Sequence, residues 1–188
     1  MTRARWALLI AAALAAPLMG ACSREEPATA CPELDAGRPI DPVLLAFLGR
    51  ARAAHHAADA YEERGDLAAA EKTLADLVSG PVPGGARPPP EAREVIADAR
   101  ARMADLESKL GKFDDALREV ERGLERVPET SYFRGHLFEV RGLIEERRQK
   151  TLEERGDRAA AEQARQRALQ AFEESMRVQS EVIRGVTP

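Results

Sequence analysis

The chain has 188 residues, 32% of them charged and 4% aromatic, with a formal charge of −4. A mildly acidic balance argues against nucleic acid as a partner. The two cysteines have neither the spacing nor the neighbours of a metal or haem site.

Arg3 and Arg5 open the chain with a basic start. Ala7 to Met19 is an apolar run, shorter than the roughly 20 residues a bilayer span needs. Small residues Gly20 and Ala21 then precede Cys22, which reads as a secretory signal with its cleavage site. Leu18-Met19-Gly20-Ala21-Cys22 resembles the lipobox of bacterial lipoproteins, with Met19 where Leu or Val is usual. That resemblance implies that residues 1–21 are removed and that Cys22 carries acyl chains on its sulfur and amine. Two or more chains hold a protein stably on a membrane. Ser23, where Asp would signal inner-membrane retention, implies an outer-membrane anchor with the domain in the periplasm. An ordinary secretory peptide cut near Ala21, or an uncut N-terminal anchor, fits the same residues. Cleavage takes away Arg3 and Arg5, moving the charge from −4 to −6 and leaving 167 of the 188 residues, enough for one domain with a real core. Cys31 stands alone if Cys22 is acylated; otherwise a Cys22–Cys31 disulfide is open in an oxidising periplasm.

Residues 22–40 contain Pro27, Pro32, Gly37 and Pro39 among polar residues and read as a tether. Residues 41–188 read as a helical domain. Asp41-Pro42 is a helix start, with Asp as N-cap and Pro at the first helical position. Leu44, Leu48, Ala51, Ala54, Ala58 and Tyr61 lie close to one face of a first helix ending near Arg64. After Gly65-Asp66, a second helix to about Ser79 turns Ala70, Leu74 and Leu77 inward. The proline- and glycine-rich stretch 80–90 is a long loop. A third helix, Glu91 to Leu110, carries Val95, Ala99, Met103, Leu106 and Leu110 on its inner face. The fourth spans about Phe113 to Val127, with Asp114 as a capping residue near its start. The fifth begins near Ser131 with Phe133, Leu137, Val140 and Ile144. The sixth runs from about Asp157 to Val182, opening on Ala160, Ala161, Ala164 and Ala168 and then gaining Phe172, Met176 and Ile183. No run has the period of a strand.

Three turns align: Gly65-Asp66-Leu67, Gly111-Lys112-Phe113 and Gly156-Asp157-Arg158. Each is followed by a small residue five places after the Gly: Ala70, Ala116 and Ala161. The segment 110–128 adds Val120, Gly123 and Pro128 at helical offsets and resembles the second half of a tetratricopeptide repeat (TPR). Ala58, Tyr61, Leu74 and Leu77 match that family around the first turn, and Ala104 and Phe113 around the second. Glu107 stands where an aromatic or Leu is usual, and Arg158 and Arg165 occupy apolar positions of the third. The turn glycines are 46 and 45 residues apart, against 34 in the standard repeat. The loop at 80–90 accounts for the first excess. The second fits inside the fifth helix, where about 11 extra residues make three whole turns. The expected architecture is all-α: TPR-like antiparallel hairpins stacked as a short solenoid, with an elongated C-terminal hairpin whose charged tip covers about residues 144–167.

No catalytic set stands out. His55 and His56 are adjacent and point about 100° apart on a helix, so they cannot chelate one metal from a single face. His136 sits beside the apolar stripe of the fifth helix and reads as a boundary residue. There is no glycine-rich phosphate loop and no nucleophile elbow; an enzyme is not expected, nor is a metal or a cofactor. What remains is surface. In TPR proteins the first helices of successive repeats line a groove, and that mapping places Arg52, His55, Asp59, Glu62, Asp98, Asp105 and Lys109 there. The set is more acidic than basic and suits a segment carrying Lys or Arg, or an extended peptide. The resemblance implies a lipid-anchored periplasmic scaffold that holds an unidentified envelope protein or peptide, with the membrane reached through Cys22. The alternative is a structural lipoprotein that associates with itself through an apolar face around Phe172, Met176 and Ile183. Three repeats are near the minimum for a stable stack, so an oligomer or a larger complex is compatible with either.

Overall fold

In the computed structural model, which describes residues 41–186, six helices follow one another: α1 (Pro42–Glu63), α2 (Leu67–Val78), α3 (Pro90–Lys109), α4 (Phe113–Arg126), α5 (Tyr132–Glu154) and α6 (Arg158–Val186). The described residues are all-α, with no strand among them. The expectations for the signal segment, Cys22, the tether and Cys31 fall outside the described residues.

Local chemistry sets the helix ends. Asp41 accepts a hydrogen bond from the Val43 backbone N–H at 2.8 Å, with Pro42 at the first helical position. Asp66, Ser131 and Asp157 cap α2, α5 and α6 in the same way, accepting from Ala69, Arg134 and Ala160 at 3.0, 3.2 and 3.1 Å. The three glycine turns are built alike. Gly65, Gly111 and Gly156 have φ of 77°, 79° and 81°, a region that only a residue without Cβ enters cheaply. The next N–H (Asp66, Lys112, Asp157) donates back five residues, to Tyr61, Glu107 and Leu152 at 2.9, 2.9 and 3.0 Å. This is the Schellman arrangement that satisfies the orphan carbonyls of a helix end.

The cap of α4 does not fall at Asp114. The residue directly after the turn glycine is the N-cap, and at α4 that is Lys112, which makes no side-chain cap. Asp114 lies inside the first turn of α4, where it and Asp115 favour the positive end of the helix dipole.

Each helix packs on the next, α3 also packs on α1, and α5 also packs on α3. The even-numbered helices make no comparable contact with one another. The core follows this order in three clusters. One joins the start of α1, the end of α2 and the start of α3 through Phe47, Ala51, Leu77, Ala92, Ile96 and Ala99. A second joins Ala58, Ala70, Leu74, Met103 and Leu106. The third joins α3, α4 and α5 around Ala104, Ala116, Val120, Leu137, Val140 and Ile144. Helix α3 is the hub, with Ala92, Ala97, Ala101 and Ala104 buried in addition to the stripe expected of it. Leu110, expected inward, is exposed because the chain has already entered the turn.

Two glycines permit close approach between helices. A Cβ on Gly123 would sit 2.6 Å from Leu137, and one on Gly142 would meet the Phe172 ring. The fifth helix runs unbroken over 23 residues, so the extra turns lie within it, and α6 is longer still at 29. Burial persists to Ile144 and Glu145, so the charged end of this hairpin begins after them. On α6 the inward residues are Ala161, Ala164, Ala168, Ala171, Ser175 and Val178, whereas Met176 and Ile183 are exposed.

Candidate partner-binding face

Successive positions on α1 and α3 advance by three or four residues, which keeps them on one side of each helix. On α1 these are Arg52, His55, Asp59 and Glu62; on α3 they are Asp98, Arg102, Asp105 and Lys109. α1 packs on α3 and α3 on α5, and several of these side chains meet across the helices. Of the seven residues expected at the groove, His55, Asp59, Glu62, Asp98, Asp105 and Lys109 make contacts between odd-numbered helices, whereas Arg52 contacts only His56 on its own helix. Arg102 donates to Asp59 and, at 3.4 Å, to Glu62. Lys109 donates to Glu62 and lies 2.9 Å from Asp105. From α5, Arg147 reaches Asp105 at 2.7 Å and the Ser108 hydroxyl at 2.6 Å. His55 lies 3.7 Å from Asp98, and Arg52 approaches His56 at 3.5 Å.

Protonation follows from these contacts. The hydrogen bond from Arg102 holds the Asp59 carboxyl below its usual range. Burial alone would raise Asp105, but Lys109 and Arg147 outweigh it and hold it low. Lys109 is desolvated too, yet its bonds to Asp105 and Glu62 raise it. Burial lowers His55 despite the opposing pull of Asp98, so the imidazole stays neutral at neutral pH.

Arg102 and Arg147 change the expected balance. With them, Asp59, Glu62, Asp98 and Asp105 face Arg52, Arg102, Lys109 and Arg147, and the acidic excess disappears. Arg102 was within reach of sequence spacing, being four residues after Asp98. Arg147 was not, because its place depends on how the extra turns of α5 are set against α3.

Other features lie away from this face. Leu117, Phe138 and Ala171 floor a cavity of about 410 Å³ between α4, α5 and α6, rimmed by the pairs Arg141–Glu121 and Arg167–Glu145. Val43, Phe47, Val82 and Pro83 line an apolar recess of about 390 Å³ beside the start of α1. His136 stacks on Tyr132 with ring centroids 6.0 Å apart and contacts Glu139 at 3.2 Å. Among the described residues no cluster of three His, Cys, Asp or Glu could hold a metal ion, and no helix is long and apolar enough to cross a membrane. No family model matches this chain, and no curated protein or solved structure matches it.

Proposed function

We propose that this chain is a lipid-anchored scaffold of the bacterial cell envelope, built as a short TPR-like stack, that holds a protein segment on its odd-helix face. The observation that carries the reading is the packing order. The odd-numbered helices pack on one another while the even-numbered ones do not, which gives one continuous face formed by α1, α3 and α5. The three Schellman turns at Gly65, Gly111 and Gly156 support the repeat, since each hairpin is closed by the same backbone bonds. The face is polar, half-exposed and balanced in sign, which suits an extended segment bearing both charges. No reaction is assigned to it. The anchor rests on the resemblance around Cys22 alone.

The test is crosslinking with mass spectrometry on native membranes, comparing wild type with Cys22→Ala. Fractionation with the outer membrane and crosslinks from residues 52–109 to a distinct protein support the scaffold. If Cys22→Ala leaves fractionation unchanged, the lipid anchor is wrong. If no other protein is crosslinked through α1 or α3, the scaffold reading is wrong. A second reading, a self-associating helical lipoprotein, is favoured by one observation, the exposure of Leu169, Met176 and Ile183 on α6.

A further inference from the structure

The chain has three histidines, and they sit in different surroundings. His56 is 68% exposed and contacts Asp59 on its own helix, and His136 contacts Glu139 within α5. Of the three, His55 is the one whose ion-pair partner lies on another helix. Its Nε2, on α1, lies 3.7 Å from the Asp98 Oδ2 on α3, and its side chain is 21% exposed. Further along the same face Asp59 and Glu62 are held by Arg102 and Lys109, and Asp105 by Lys109 and Arg147. Asp98 has no Lys or Arg paired with it among the described residues, so the charge of His55 decides whether that carboxylate is free.

The elements packed on α1 are α2 and α3. α2 buries Ala70, Leu74 and Leu77, and its charged residues are engaged elsewhere, Lys72 with Asp76 and Glu71 with Lys112. From α3, Asp98 favours a proton on His55 and Arg102 opposes it; from α1, Asp59 favours it and His56 opposes it. Arg102 and Asp59 are paired with each other, and Arg52 turns to His56. Asp98 is therefore the uncompensated charge facing the ring. Burial is the largest influence and works against charging, so His55 takes its proton below the ordinary histidine range. Neutral, the ring offers Asp98 only a polar contact. Protonated, it is a cation already in place, held by the packing of α1 on α3.

We propose that His55 is a proton-operated gate on the odd-helix face: in mild acid its imidazolium pairs with Asp98 and displaces the Lys or Arg side chain that a partner places there. The proposal rests on the scaffold reading and adds the regulation of that face. The sign follows from competition for one carboxylate. The partner is held above the titration of His55 and released as the pH falls through it. By linkage, a partner cation seated on Asp98 makes His55 harder to protonate by the same factor. An exposed ion pair of this kind sets the change in capture at roughly fivefold.

The test has two readouts on the full chain. Proton NMR of the histidine rings in detergent micelles, from about pH 7.5 to about pH 4.5, follows His55, which is assigned by its loss in His55→Gln. Asp98→Asn should lower its midpoint by about 0.5–1 unit, because the one charge favouring the imidazolium without a counter-charge is gone. An unchanged midpoint, or a ring that does not titrate in this range, overturns the gate. Photo-crosslinking to a partner through α1 and α3 in native membranes then compares about pH 7.5 with about pH 5. Capture should fall roughly fivefold in wild type, whereas in His55→Gln the ratio between the two pH values should stay near one, whatever its level. Equal falls in both proteins overturn the gate and leave the scaffold standing. No partner at either pH overturns the scaffold reading, and the gate with it.

Discussion

Replacing Glu107 with Gln should stabilise the protein at mildly alkaline pH and leave it unchanged in acid. Glu107 sits in the last turn of α3, 7% exposed, and its Oε2 has no hydrogen-bond partner. Burial, followed by the nearby carboxylates of Glu119, Glu71 and Asp115, pushes its pKa from 4.5 up to about 7, with Lys112 opposing. A carboxyl raised in the fold binds its proton more tightly there than in the unfolded chain. Its stabilising contribution is therefore complete below pH 4.5, declines between 4.5 and about 7, and is absent above. The shift of about 2.5 units sets a ceiling of about 3 kcal/mol, and water reaching the site lowers the expected gain to about 1–3 kcal/mol. Gln is neutral at every pH, and its amide can donate toward the acidic neighbours. Urea unfolding followed by circular dichroism at a series of pH values measures the difference between the two proteins. Curves that stay parallel from acid to mildly alkaline pH, or a variant less stable in alkali, would refute the argument.

Burial should separate two arginines of similar appearance. Arg100 pairs with Glu119 at 12% and 6% side-chain exposure, and Arg100→Ala should cost about 2–4 kcal/mol in urea unfolding because Glu119 keeps only the more exposed Arg122. Arg102→Ala, at a quarter-exposed site against half- and part-exposed acids, should cost about 1 kcal/mol or less, and equal costs would show that burial is not the deciding variable. Gly142→Ala drives a methyl group into the Phe172 ring and should lower stability by about 1–2 kcal/mol even after the gain in helix propensity; an unchanged melting temperature contradicts that packing. Gly111→Ala meets no neighbour but must hold φ at 79°, so the loss of about 1 kcal/mol should come from backbone strain alone, and Gly111→Asn should recover part of it.

Features whose cause is local were legible before any coordinates. Asp41-Pro42, Asp66 and Ser131 cap helices where their types and neighbours place them, and the three turn glycines are fixed by a backbone conformation that few other residues tolerate. The misplaced cap at α4 has the same origin: Asp is the better cap chemically, but the turn geometry assigns the position, and Lys112 occupies it. The burial of α3 was not legible, since alanine is too weakly apolar to mark a second face by periodicity, and only its contacts with α1, α2, α4 and α5 bury it. Phe47 was missed because Leu44 and Leu48 drew the stripe to one side of it; all three pack in the same cluster. For the candidate face, the repeat resemblance proposes seven residues that lie three or four apart on α1 and α3, so their sharing a side of each helix is a matter of local spacing. The pairing among them needs distances across helices, which spacing does not contain.

That pairing changes how a partner would bind. Asp59, Glu62 and Asp105 already hold Arg102, Lys109 and Arg147, so a cation arriving from a partner must exchange with one already present, with little net Coulomb gain. Asp98 differs. Its contact is His55 at 3.7 Å, and burial keeps that imidazole neutral at neutral pH, so the carboxylate, 41% exposed, has no cation paired with it within ion-pair distance among the described residues. An incoming Lys or Arg gains most there, by about 1 kcal/mol at a surface site. On the scaffold reading, Asp98→Asn should weaken partner crosslinking roughly fivefold while leaving stability unchanged. Asp105→Asn should lower stability by removing the acceptor shared by Lys109 and Arg147, with less effect on the partner. The reverse ranking would mean that a partner reads the paired network and not the one carboxylate left without a cation.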